Sequence, residues 1–176
     1  TAGRGTYAEA REGARVIATC RQRICEFIHG ENPDHVVFTL NTSDALNLAI
    51  NGVVAQRRLD SPGRPVHLVT TALDHNSVLR PYTAHTDTGA EWTCVPIDPD
   101  TGVCDPARIK SALRPDTALV AINHASNVTG AIQPAAEIGA ICGEQGVLFL
   151  LDAAQSLGHI DVDVRALNAD LLAIPG

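Results

Sequence analysis

The sequence has no methionine, no cysteine pair at CxxC spacing, no run of basic residues and no apolar stretch long enough to cross a bilayer. Each absence narrows the field. A net charge of -7 without a basic run argues against a nucleic-acid groove and against an anionic membrane surface as partner. Apolar runs this short exclude a transmembrane helix, and no signal-peptide pattern opens the 176 residues, so a cytoplasmic location is expected. The five cysteines, Cys20, Cys25, Cys94, Cys104 and Cys142, are odd in number and read as free thiols. No metal site is expected. Without methionine, starting at Thr1 and stopping at Gly176 just after a strand-like run, the chain reads as an internal piece of a longer protein.

What is present is a globular balance, 45% hydrophobic and 19% charged, in a length that suits one domain with a real core. Thr6 and Glu9 stand at capping-box spacing, and a helix is expected from there to about Gly30. Val16, Ile17, Cys20, Ile24, Phe27 and Ile28 form its apolar stripe, which places Cys20 in the core. Strands are expected at 35–40, 66–71, 91–97, 118–124, 147–151 and 170–174, with helices between them. Pro96 puts the third of these near an edge. Repeated β-α units with short connections predict a three-layer α/β/α domain with a mainly parallel sheet over residues 1–176.

The strand Val147 to Leu151 runs into Asp152, a carboxylate too costly to bury without a cation or donors. Other strands also end in polar groups: Thr42 and Ser43, His75, and Asn127, with Gln155 just past Asp152. Taken alone, Thr42 and Ser43 are better read as simple helix caps than as an anion cradle. His75 alone is more often structural, with Asp74 orienting it. In a parallel sheet these ends share one edge, where ligands bind. Together they suit a ligand with a phosphate, a flat ring and a ring nitrogen that carries a proton. Pyridoxal 5'-phosphate has those three features. A carboxylate favours the protonated ring, and a protonated ring is the better electron sink.

Four stretches carry a family resemblance: Phe38-Thr39-Leu40-Asn41-Thr42-Ser43-Asp44-Ala45-Leu46-Asn47-Leu48, Asp74-His75-Asn76-Ser77-Val78-Leu79-Arg80-Pro81, Asn123-His124-Ala125-Ser126-Asn127-Val128-Thr129-Gly130 and Asp152-Ala153-Ala154-Gln155-Ser156-Leu157-Gly158. In order and spread they resemble the cysteine desulfurases and selenocysteine lyases of the class V aminotransferase group, fold-type I enzymes that use pyridoxal phosphate. The resemblance implies the large domain of a pyridoxal-phosphate-dependent transferase-like fold, partial at both ends. It implies that Thr42 and Ser43 bind the cofactor phosphate and that His75 stacks on the ring. It also implies that Asn127 lies near the ring hydroxyl and substrate carboxylate, that Asp152 pairs with the ring nitrogen, and that Gln155 bonds the ring hydroxyl. His75 and Asp152 are the catalytic candidates.

By the same resemblance the parent enzyme converts L-cysteine to L-alanine plus a persulfide sulfur. It would work in iron–sulfur cluster assembly, as a homodimer, with a possible sulfur-acceptor protein as partner. Three departures matter. The single lysine, Lys110, is on a short helix well before the family's Schiff-base position, and none of the five cysteines stands at the family's sulfur-accepting position. Pro175 stands where many relatives have a phosphate-binding Ser. These 176 residues alone are therefore expected to be inactive. The alternatives are a class V aminotransferase, an isopenicillin N epimerase-like enzyme, or a non-catalytic phosphate-ligand-binding α/β module. The last is weakened by the lack of G-x-G-x-x-G or a P-loop.

Overall fold

Apolar runs closed by polar residues build the sheet. The structure, a computed structural model, describes residues 4–175; Thr1 to Gly3 and Gly176, on which the reading of a longer parent partly rests, lie outside the described residues. The strands are β1 (Val66–Thr71), β2 (Ala90–Val95), β3 (Thr117–Asn123), β4 (Leu148–Asp152) and β5 (Leu171–Ala173), in spatial order β2-β1-β3-β4-β5. Every pairing is parallel. β2 is an edge strand and ends just before Pro96, which has no N–H to give a ladder.

Parallel strands need crossovers, and helices supply them. The helices are α1 (Ala8–Phe27), α2 (Thr42–Asp60), α3 (Asn76–Thr86), α4 (Pro106–Ala112) and α5 (Ala135–Gln145). Successive side chains of a strand point to opposite faces, so one apolar run feeds two cores. Leu68, Leu119, Ala121 and Leu150 meet Leu46, Ile50 and Val54 of α2 and Val78 and Tyr82 of α3. Val69, Val120, Ile122, Phe149 and Leu151 meet Ile109 of α4 and Ile138 and Cys142 of α5. This is the expected three-layer α/β/α arrangement. Among the described residues no helix is long and apolar enough to cross a membrane.

Several local expectations fail for physical reasons. The 35–40 stretch is not a strand. Pro33–His35 forms a 3-10 turn, and Val37, Phe38 and Leu40 are 64%, 49% and 92% exposed. Its β-type composition is real, but a strand needs a neighbouring backbone, and no ladder in the described sheet reaches it. The α1 stripe has helical spacing yet lies mostly in solvent: Val16, Ile17 and Phe27 are exposed, Cys20 is exposed, and the buried residues of α1 are Ala10 and Cys25. Tyr7, not Thr6, precedes α1, and its carbonyl accepts from Ala10 and Arg11, so the expected capping box is not the start signal.

One close approach fixes how α5 sits on the segment before β5. A Cβ on Gly139 would lie 2.1 Å from the Leu167 carbonyl oxygen, and backbone cannot yield as a flexible side chain does. Gly139→Ala is expected to lower stability by about 1–3 kcal/mol, the usual cost of overpacking a tight contact. A shift in the urea midpoint at unchanged slope measures it; an unchanged midpoint would show that the segment moves freely.

Candidate active site

The chain leaves β1 through α3 toward β2 on one side, then returns through α4 to β3 on the other. The strand order therefore reverses between β1 and β3, and a crevice opens beyond their carboxyl ends. A cavity of about 160 Å³ lies there. Its wall includes Thr42, Ser43, His75, Asn127, Asp152 and Gln155, all six residues singled out from the sequence. Ser77, Asn123 and Leu46 also line it and were not singled out. A larger hollow of about 490 Å³ is elsewhere, beside Ala118, Leu148 and Leu171 near the amino ends of their strands, so no strand end delivers a polar group to it.

The cap of α2 is neither Thr42 nor Ser43. Asn41 fills that place, its side-chain oxygen accepting from the Asp44 N–H at 2.9 Å. Thr42 and Ser43 are then the first helical residues, whose N–H groups have no acceptor within the helix. With hydroxyls and backbone donors at the positive end of a 19-residue helix, they suit an anion. Ser43 Oγ lies 2.6 Å from Ser77 Oγ, and Ser77 Oγ lies 2.8 Å from His75 Nδ1. His75 caps α3, with Nδ1 accepting from the Ser77 N–H at 3.2 Å.

Asp152 also lines the cavity and is 7% exposed. One carboxylate oxygen accepts from the Ala154 N–H at 3.0 Å. Burial pushes the carboxyl up from its usual range, while the Ala154 bond and nearby His75 pull it down. No ion pair among the described residues involves Asp152. Beside it in the wall, the buried Asn123 Oδ1 has no hydrogen-bond partner. Asn127 is held in its turn by Ser126, whose Oγ accepts from the Val128 and Thr129 N–H groups. Gln155 sits in the turn where Ser156 and Leu157 N–H groups donate to the Ala153 carbonyl. Two acceptors short of donors at one wall and an anion cradle at another fit pyridoxal 5'-phosphate, which brings a ring N–H and a phosphate.

Lys110, the lone lysine, is on α4, exposed, with Nζ 3.7 Å from Glu144. It does not line the cavity, and neither does any cysteine. Burial pushes the Cys104 thiol up to about 11 and the Cys142 thiol up to about 12, away from the nucleophilic thiolate. Among the described residues no group of three or more His, Cys, Asp or Glu side chains is placed to hold a metal ion.

The family description aminotransferase class-V matches residues 1–176. The chain is 38% identical over 174 residues to a probable cysteine desulfurase of Methanothermobacter thermautotrophicus, covering 99% of this chain and 41% of that protein. The chain thus spans about two fifths of the length of such curated relatives. Among solved structures it superposes on SspA in complex with cysteine with a TM-score of 0.90 at 31% identity, covering 98% of this chain and 48% of SspA. The apo cysteine desulfurase of Thermococcus onnurineus NA1 gives 0.87 at 32% identity, covering 98% and 42%. The sheet and its helical layers are those of this fold.

Asp74 holds the two sides of the crevice in place. It does not bond the His75 ring, as first expected; its carboxylate accepts from Thr70 Oγ1 at 2.7 Å, Thr71 N at 2.6 Å, Thr71 Oγ1 at 2.8 Å and, across the crevice, Asn123 N at 2.5 Å. Burial pushes its carboxyl up to about 6 against the pull of those donors. A raised carboxyl favours the folded state below the unfolded value near 4, and that contribution is lost as pH rises through about 6. Asp74→Asn removes the titration and turns an amide donor toward donors. The stability gap between wild type and Asp74→Asn is expected to be widest near pH 4 and to narrow above about pH 6, read by urea unfolding at each pH. A gap independent of pH would show that Asp74 keeps an ordinary carboxyl.

Proposed function

The chain belongs to the aminotransferase class-V family, and from that membership we propose that it is the cofactor-binding part, a partial large domain, of a cysteine desulfurase. The reaction takes sulfur from L-cysteine, leaves L-alanine, and passes the sulfur to a cysteine thiolate as a persulfide. The carrying observation is the cavity wall: a buried carboxylate in no ion pair among the described residues, an orphaned buried amide oxygen, and the first turn of α2 at Thr42 and Ser43, whose N–H groups have no acceptor within the helix. The amino acid seen with SspA supports L-cysteine as the substrate here.

Pyridoxal 5'-phosphate, when bound, supplies an electron sink for a carbanion at the α-carbon. The residues of this chain hold and tune it. Thr42 and Ser43 donate to the phosphate from the first turn of α2. Asp152, with its charge set against the ring nitrogen, keeps that nitrogen protonated. His75, which lines the cavity, would stack on the ring, shield one face from water and carry a proton. Gln155 donates to the ring hydroxyl, and Asn127 orients it together with the substrate carboxylate. No lysine lines the cavity, so these residues contribute binding and orientation, not the covalent anchor, and by themselves do not turn over. The working form is a cytoplasmic homodimer that supplies sulfur for iron–sulfur cluster assembly through a sulfur-acceptor protein.

In the full-length protein with pyridoxal 5'-phosphate and L-cysteine, sulfide under reductant and alanine are expected in equal amounts. Alanine formed only when pyruvate is added would make it an aminotransferase instead. Asp152→Asn is expected to retain the bound cofactor's absorbance and to slow turnover by about 100-fold or more, the loss of one charge pair at the reacting ring. Turnover unchanged in Asp152→Asn would remove this carboxylate from the mechanism.

A further inference from the structure

Ser77 is the one polar residue of the cavity wall that touches both the anion cradle and the histidine. It is 9% exposed, with its oxygen 2.6 Å from Ser43 Oγ and 2.8 Å from His75 Nδ1. Each hydroxyl has one proton to give, so the direction of one bond sets the next. The Ser77 backbone N–H can only donate, and it donates to Nδ1. Nδ1 is therefore the acceptor nitrogen, and the ring proton sits on Nε2. The Ser77 hydroxyl then also points at Nδ1, since otherwise two lone pairs would face each other at 2.8 Å. Ser43 in turn gives its proton to Ser77.

An oxyanion beside Ser43 reverses this chain. The anion takes the Ser43 proton as a hydrogen bond, Ser43 accepts from Ser77, and Ser77 must accept from Nδ1. We infer that Ser77 is a positioning residue that couples occupancy of the α2 cradle to the tautomer of His75, so that a bound anion moves the ring proton from Nε2 to Nδ1. No proton is gained or lost: solvent takes one from Nε2 and returns one to Nδ1. The contact from the Ser77 N–H is given up, and Nε2 becomes the nitrogen that accepts or acts as base. The ring is thus set for proton transfer only when the cradle is filled. This rests on the reading of Thr42 and Ser43 as the phosphate cradle.

The test uses the full-length protein, freed of cofactor and labelled with 15N-histidine, titrated with inorganic phosphate at about pH 8, above the ordinary imidazole range. A His75→Gln variant assigns the His75 signals, and calorimetry reports phosphate binding independently. In wild type, Nδ1 is expected to move from the unprotonated to the protonated position as phosphate binds. In Ser77→Ala, phosphate affinity is expected to stay within about tenfold, the worth of one hydrogen bond, while Nδ1 stays unprotonated, held by the backbone N–H that the variant keeps. Ser77→Thr, which restores the hydroxyl, is expected to restore the response. A protonated Nδ1 before phosphate is added, or the same movement in Ser77→Ala, overturns the coupling while leaving the cradle standing. Calorimetry that detects no phosphate binding in wild type overturns the cradle, and the coupling with it.

Discussion

The bond from the Asn123 N–H to the Asp74 carboxylate is the tie on which the site depends. The ladder between β1 and β3 ends at Val69 and Val120, so its hydrogen bonds do not reach the two lips formed by the ends of those strands. Asp74 closes that gap from one lip with an atom of the other. Its remaining bonds, from Thr70 and Thr71, anchor it to its own strand. The result is that His75, one residue later, and Asn123 are fixed relative to each other before any ligand arrives. Preorganised polar groups of this kind need not reorganise when charge develops at a ligand.

Two buried carboxylates share the crevice, and burial raises both. What separates their roles is the count of donors around each. Asp74 has its oxygens filled by the protein. Asp152 has the Ala154 N–H and, among the described residues, no ion pair. A filled carboxylate is mortar; one that the chain leaves short of donors keeps lone pairs to offer. The two histidines on the β1 segment divide in the same way. His67, inside the strand, is bonded on both ring nitrogens, to Thr117 and Thr93, and burial pushes its imidazole down toward the neutral form. His75, past the strand, has its Nδ1 engaged by Ser77 and lines the cavity.

Much of this was legible in the sequence because strand ends and polar turns are local. The five strands of the sheet, the edge position set by Pro96 and the convergence of six side chains follow from apolar runs and what ends them. The roles of those six side chains toward a cofactor remain proposals. The segment before α2 was misread because Val36, Val37 and Phe38 have the composition of a strand, and composition says nothing about whether a partner strand is there. The α1 stripe failed similarly: spacing identifies an apolar face but not what covers it. Asn41 took the cap because its carboxamide reaches the third N–H, a geometric choice among three polar neighbours that no pattern resolves. Ser77 and Asn123 were quoted within motifs but not singled out. For Ser77 a signal existed: a hydroxyl two residues after a histidine at a helix start reaches back to that ring.

Leu46 is at once a member of the core between α2 and the sheet and a part of the cavity wall. Since the stretch leading into α2 has no ladder to fasten it, the cradle is carried by a cantilever, the helix itself, clamped at Leu46, Ile50 and Val54. A rise of about 1.5 Å per residue means that even a partial slip of that clamp moves the anion donors by a sizeable part of a bond length. Interior packing beneath α2 and the placement of the Thr42 and Ser43 N–H groups are therefore a single mechanical coordinate in this protein.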